Sequence, residues 1–496
     1  MKRTLAIAIA TALGALASSA EAVMLNSRGT GQVLIYPYYT VNHQQTLVSV
    51  INSTGHGKAL KVRFREGYDG REVAGFNVYL GPYDSWVGAV YDTSADGTGA
   101  GAIATNDNSC TVPAFPLVAL PGNLHALTFS NANYSQGVYG TPTGTDSGPT
   151  GLARTREGFF EIIEMGEVVD QASGSPKTLE AITPVNGTPP GCVQVRDAWA
   201  TSGYWTTNAT TDLLPPAGGL YGAAGIVDVA QGTLYAYDAT AIDGFSDVVQ
   251  HSAPGNTKPN LATAISDSAH DIASAYVPIG NAMIRADYTA STAGIDAVSA
   301  VLMANTLYNE FDIETGVGAA TDWVVTFPTK QFYVDPGLVQ RAVDPFESIF
   351  EGSSCDVVYP QINSRDSPPP DPGICYPENC PRDNYLCYET TVITFNDLAA
   401  NDSPSKALGS LIRQPPFVLP YDIPPDGNMV LHFSPSTMRP ASGGDAFDGL
   451  PAIGFAATNY INANVTPGVL SNYSAAYPHR SDASCTNSTN PQSACQ

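Results

Sequence analysis

Carboxylates are the side chains that best equip this chain for chemistry: 46 Asp and Glu stand against 22 Lys and Arg and seven His in 496 residues. Two carboxyl groups across a cleft suffice for glycoside hydrolysis, provided burial or a neighbouring charge raises the pKa of one of them. Glu310, Asp312 and Glu314 alternate with Phe311 and Ile313, so the three acids line one face of a strand whose apolar residues pack inward. Glu161 and Glu164 stand at an odd separation and point to opposite faces of a regular strand. Asp267, His270 and Asp271 would share a face on a helix, although a solvated hydrogen-bonded pair accounts for them more simply. The chain has no Gly-x-Ser-x-Gly elbow, His-Glu-x-x-His helix, phosphate-binding loop or dinucleotide fingerprint. These residues point to a protein without intrinsic catalysis.

Oxygen-rich turns offer a second chemistry. Asp92 and Asp96, in Asp92-Thr93-Ser94-Ala95-Asp96-Gly97, and Asp107, in Asn106-Asp107-Asn108-Ser109, are candidate calcium ligands. Calcium takes about six to eight oxygens and accepts loop backbone among them. Neither stretch follows the full EF-hand rule, and ordinary turns explain both. The cysteines Cys110, Cys192, Cys355, Cys375, Cys380, Cys387, Cys485 and Cys495 are even in number and lack zinc or haem spacing, so they read as disulfides. They fall into a pair, Cys110 and Cys192, a cluster from Cys355 to Cys387 and a C-terminal pair, which leaves the connectivity open. The 25 tyrosines, many beside Ser, Asn and Gly, suit a contact surface for sugars or proteins, and equally a sheet core.

The elements that must position these groups are strands. Between Thr46 and Tyr91, Leu60, Val62 and Phe64 alternate with Lys61, Arg63 and Arg65, Asp69-Gly70 supplies a turn, and Phe76, Val78 and Leu80 return. The basic residues Lys58, Lys61, Arg63, Arg65 and Arg71 are read first as a solvated face, and second as a docking surface for an acidic part of the chain or of a neighbour. Pro37 within Gln32 to Val41 predicts an edge strand or a bulge, and Ser291 to Phe311 has the best helical spacing. The expected fold class is mainly β: one or two antiparallel β-sandwich modules with long disulfide-crosslinked Pro/Gly-rich loops and few short helices. The chain divides into a leader over 1–22, a β-sandwich-like domain over 23–170 and a turn-rich elaboration without its own core over 171–218. A β-rich region with a short helix over 219–350, a Cys/Pro-rich insert over 351–388, closing strands over 389–476 and a polar tail over 477–496 follow.

Met1-Lys2-Arg3, the apolar run Leu5 to Ala17 and Ala20-Glu21-Ala22 have the layout of a cleavable secretory signal. A formal net charge of −24 argues against nucleic acid as a partner. After the leader no apolar run is long enough for a transmembrane helix. Lys61-Val62-Arg63-Phe64-Arg65-Glu66, Phe76-Asn77-Val78-Tyr79-Leu80-Gly81-Pro82-Tyr83-Asp84 and Phe327-Pro328-Thr329-Lys330 resemble segments of a family of bacterial exported and cell-surface β-rich proteins of uncharacterised activity. That resemblance implies secretion and a β-rich body, and carries no activity with it. The expected function is that of an exported structural or adhesion-type protein of the cell surface, extracellular space or periplasm, whose partners are a surface polymer, a polysaccharide or other protein subunits. An exposed N-terminal strand would let copies pair by strand addition into a homo-oligomer. The alternatives are a carbohydrate-binding protein, calcium-dependent or not, and a secreted glycoside hydrolase using paired carboxylates.

Overall fold

The alternation around Lys61 builds the centre of the molecule. The computed structural model describes residues 22–119, 122, 124–171, 174–366, 384–396, 404–414, 423–433, 435–466, 468–487 and 495. Gly57–Glu66 pairs with Glu72–Leu80 on one side and Glu157–Val168 on the other. The resulting ten-stranded sheet continues through Val33–Thr40, Thr240–Asp243, Val23–Leu25 and Ala273–Ile279 to Ala282–Tyr288. The flanking strands Gln45–Asn52 and Ser85–Asp92 belong to a different, seven-stranded sheet with Gly101–Thr105, His125–Thr128 and the hairpin Ala223–Asp228/Thr233–Asp238. Leu60, Val62, Phe64 and Phe160 of the first sheet share one apolar layer with Val48, Val50, Trp86 and Val90 of the second. The chain is mainly β, its sheets are open, and its longest described helix is the ten-residue Ala293–Leu302.

The basic face is not solvated. Every residue of Gly57–Glu66 is buried, because the second face of the sheet is covered as well. Lys58 donates to Glu164 at 2.8 Å and Glu167 at 2.9 Å, and Arg65 donates to Glu161 at 2.9 Å and Gln331 at 2.7 Å. Arg71 reaches Asp335 at 2.5 Å. The acidic partners belong to the same chain, in agreement with the docking alternative.

One arginine joins several of these segments. Arg154 faces Glu66 with Nε at 2.7 Å and Nη2 at 2.9 Å, and Asp146 with Nη1 at 2.9 Å and Nη2 at 2.5 Å. Glu66 also accepts the N–H groups of Tyr68, Asp69 and Arg71, which closes the turn at Asp69-Gly70. Gly70 has φ +68°, and a Cβ there would stand 2.7 Å from the Glu389 carboxylate, so both backbone and space call for glycine. Second-half polar contacts fasten to the same sheet: Glu157 accepts Ser410 Oγ at 2.7 Å and the N–H groups of Leu411 and Ile412, and Thr326 Oγ1 donates to the Pro37 carbonyl at 2.6 Å.

Other expectations are corrected. Val33–Thr40 is an inner strand paired on both sides, so it offers no exposed N-terminal strand; Pro37 instead sits at a register break against Gly158 and Phe160, the bulge alternative. The 171–218 stretch carries helices Thr178–Ile182, Cys192–Asp197 and Tyr204–Thr207, and these form a small core of their own with the sheet around Tyr79, Val195 and Trp205. The helical pattern from Ser291 stops at Leu302, since Thr306–Asp312 is drawn into pairing with Asp426–His432. Within the 477–496 stretch, polar as expected, Arg480–Asp482 and Ser484–Asn487 are short strands. Disulfides join Cys110 to Cys192, Cys355 to Cys387 and Cys485 to Cys495. Half of these cysteines lie in regular elements, Cys110 in a strand, Cys192 in a helix and Cys485 in a strand, while Cys355, Cys387 and Cys495 lie outside them. Residues 1–21 of the expected leader, Cys375 and Cys380 lie outside the described residues.

Replacing Arg154 with Ala leaves Glu66 and Asp146 as buried, uncompensated charges, and denaturant unfolding should show a loss of about 3–5 kcal/mol. Arg285→Ala, at an exposed pair with Asp287, should change stability by about 0.5 kcal/mol or less. Lys61 gives a pH-dependent test. Its amine donates only to the carbonyls of Ala253 at 2.8 Å and Pro254 at 3.2 Å, and burial, then Arg63, pull its pKa down to about 7. The unfolded chain keeps this proton to about pH 10. The folded state thus binds fewer protons between those values, and stability should rise with pH across that window by at most about 1.4 kcal/mol per unit. Unfolding titrations of Lys61→Met should lack that rise.

Candidate functional site

The carboxylate alternation at Glu310 places Glu310 and Asp312 on the lining of a cleft. Phe311 is buried and stacks on Phe395 at 4.6 Å, which turns Glu310 and Asp312 to the opposite face. Their strand, Thr306–Asp312, lies in a four-stranded sheet with Tyr359–Ser364, Asp426–His432 and Arg480–Asp482. Beside it stands a five-stranded sheet, in which Ala319–Thr326 is followed by the long hairpin Ile453–Thr466/Val469–Pro478. The two sheets are bolted together by side chains. Asn309 Nδ2 donates to the carbonyls of Tyr477 at 2.8 Å and Pro478 at 3.2 Å, and Trp323 Nε1 donates to that of Glu310 at 3.1 Å. Thr321 Oγ1 accepts the Asp312 N–H at 3.0 Å and donates to the Asp312 carbonyl at 2.9 Å. His479 Nε2 lies 2.9 Å from the Val324 carbonyl, and burial lowers its pKa to about 4, so it packs there neutral.

Between the sheets opens a cleft of about 560 Å³. One wall carries Glu310, Asp312, Asp426, Asn428 and Arg365, and the other carries Tyr460, Tyr473 and Tyr477. Antiparallel register sets Glu310 opposite Asn428 and Asp312 opposite Asp426. Tyr460 donates its hydroxyl to Asp312 Oδ2 at 3.0 Å, and burial, helped by that carboxylate, pushes its pKa up to about 12. Arg365 meets Asp426 at 2.6 Å and Asp366 at 3.1 Å. Rings on one side and hydrogen-bonding groups on the other suit a ligand with an apolar face and polar edges. A second hollow, about 520 Å³ on the outer face of the seven-stranded sheet, is lined mainly by Leu47, Val87, Leu234, Ala and Gly, with few groups to orient a polar ligand.

The other sequence candidates do not converge on the cleft. Glu314 accepts the Gly316 N–H and closes a turn. Asp267 and His270 meet at 2.8 Å on an exposed turn between strands, not on a helix, and Asp271 has φ 54° there. Asp92 accepts the Ser94 N–H and pairs with Arg156 at 2.8 Å, Asp96 bonds Ser94 and Thr98, and Asp107 accepts Ser109 N–H and Oγ. Asp107 lies past the far end of the Gly101–Thr105 strand from the other two. Among the described residues the grouping of three metal-ligand side chains is Asp445, Cys485 and Cys495, whose two sulfurs are joined as a disulfide. Sequence reasoning missed Asp426 and the three tyrosines. Their signal was Pro467-Gly468, a turn pair between two runs of strand-forming residues, which marks the long hairpin.

Comparison of the chain with protein-family models, with curated proteins and with solved structures returns no match.

Proposed function

We propose that the chain is an exported bacterial protein of the cell surface or periplasm, structural or adhesive in role, that holds a surface polysaccharide in the tyrosine-lined cleft. The observation that carries this reading is the wall of Tyr460, Tyr473 and Tyr477 facing Glu310 and Asn428. A sugar ring has C–H faces that pack on tyrosine and hydroxyl edges that need acceptors and donors, and the two walls supply one of each. Three described disulfides favour an oxidising compartment. The apolar layer between the ten- and seven-stranded sheets favours a β-sandwich module as the platform from which the cleft is presented.

A second reading, glycoside hydrolysis, draws on the same geometry, because Glu310, Asp312 and Asp426 all line the cleft. The two readings separate on one assay. Under the binding reading, the purified oxidised protein co-sediments with insoluble surface polysaccharide and releases no reducing ends. Tyr473→Ala and Tyr477→Ala should each weaken retention about tenfold, the order expected for losing one aromatic contact. Chelator should leave binding unchanged, since among the described residues no three metal-ligand side chains converge at the cleft. Release of reducing ends that stops in Glu310→Gln or Asp312→Asn would favour the hydrolase, and equal retention of the tyrosine variants would remove the cleft from the proposal.

A further inference from the structure

Resting on the polysaccharide reading of the cleft, we infer that the polymer it takes carries amines: a chain of free 2-amino sugars, bound in preference to neutral or acidic chains. The cleft has an acidic surplus, with Glu310, Asp312 and Asp426 lining it against Arg365. Asp312 and Asp426 stand directly opposite each other across an antiparallel pair, where like charges repel. Arg365 is engaged by Asp426 and Asp366, and among the described residues no cation pairs with Glu310 or Asp312. Asp312 is held by neutral donors instead, the Tyr460 hydroxyl at 3.0 Å and the Glu314 N–H at 2.9 Å. Glu310 is exposed at the cleft. An arrangement that opposes the stability of the free protein, placed in a cleft, is what a cationic ligand relieves.

The tyrosines narrow the class of cation. Tyr473 and Tyr477 are 65% and 45% exposed and line the same cleft. Aromatic faces attract an ammonium and pack on apolar C–H surface. A bare divalent ion would use neither property, and no three ligand carboxylates of the cleft converge among the described residues. A pyranose ring bearing a primary ammonium uses both. A uronate chain would meet repulsion from Glu310 and Asp312, so the acids also act against the wrong polymer.

The test is calorimetric titration of the full oxidised chain with a glucosamine hexamer, an N-acetylglucosamine hexamer, a galacturonate oligomer and hexalysine, at a pH where the amines are protonated. The glucosamine hexamer should bind at least tenfold tighter than its acetylated form. Asp312→Asn and Glu310→Gln should each remove most of that preference, bringing the two hexamers' affinities to within about twofold of each other. Asp312→Asn should also raise the thermal midpoint of the free protein, which shows that the variant is folded and that the like-charge pair opposed stability. Equal affinity for the two hexamers would overturn the amine inference and leave the polysaccharide reading standing. No binding of any sugar would overturn both. Hexalysine binding as tightly as the glucosamine hexamer, with Tyr473→Ala without effect, would overturn the sugar and reduce the cleft to an acidic patch.

Discussion

The rest of the molecule depends on Arg154 held between Glu66 and Asp146. All three side chains are cut off from water. Such burial is costly for each charge alone and is offset only when geometry and hydrogen bonds are nearly complete. Here Glu66 accepts five donors, two from Arg154 and three from the turn that follows it. Tyr134 lies against the guanidinium at 4.2 Å. From this centre Arg71 carries the connection to Asp335, and Arg65 carries it to Gln331, so the second half of the chain is seated on the first sheet by charged and polar contacts. Carboxylates crowd the cluster. Burial, then Asp335, Asp146 and Glu66, push the Asp69 pKa well up, and burial does the same to Glu389.

Much of this was legible in the residues, and the failures share one cause. Alternation at Leu60, Val62 and Phe64 gave the strand and its two faces correctly, as did Phe311 and Ile313 for Glu310 and Asp312. Alternation cannot say what lies against the second face. Lys61, Arg63 and Arg65 look like solvent residues until the acidic strand Glu157–Val168 is laid beside them, and that pairing joins segments about a hundred positions apart. Pro37 was readable as a bulge, but whether the strand was an edge depended on Thr240–Asp243, far along the chain. The elaboration after Val168 looked coreless because its few apolar residues, Ile182, Val195 and Trp205, are completed by Tyr79 and Met165 from the sheet. The cleft was half visible: Glu310 and Asp312 come from one short strand, while Asp426 and the tyrosines come from strands more than a hundred residues later.

At the cleft, acids outnumber their cation partner. Inside, Lys58, Arg65, Arg71, Arg154 and Lys330 are each answered by a carboxylate. At the cleft Asp312 faces Asp426, which Arg365 also holds, Glu310 faces Asn428, and rings stand exposed opposite them. The seating described above also fixes the distance between the cleft's walls, since Asn309, Thr321 and Trp323 join the two sheets directly behind it.

Amide hydrogen exchange, with and without a saturating glucosamine oligomer, tests the location of the site most directly. Protection confined to Thr306–Asp312, Asp426–His432 and Val469–Pro478, with the buried strand Gly57–Glu66 unchanged, is the predicted result. Protection centred on Leu47, Val87 and Leu234 of the seven-stranded sheet, or spread evenly over the chain, would contradict it.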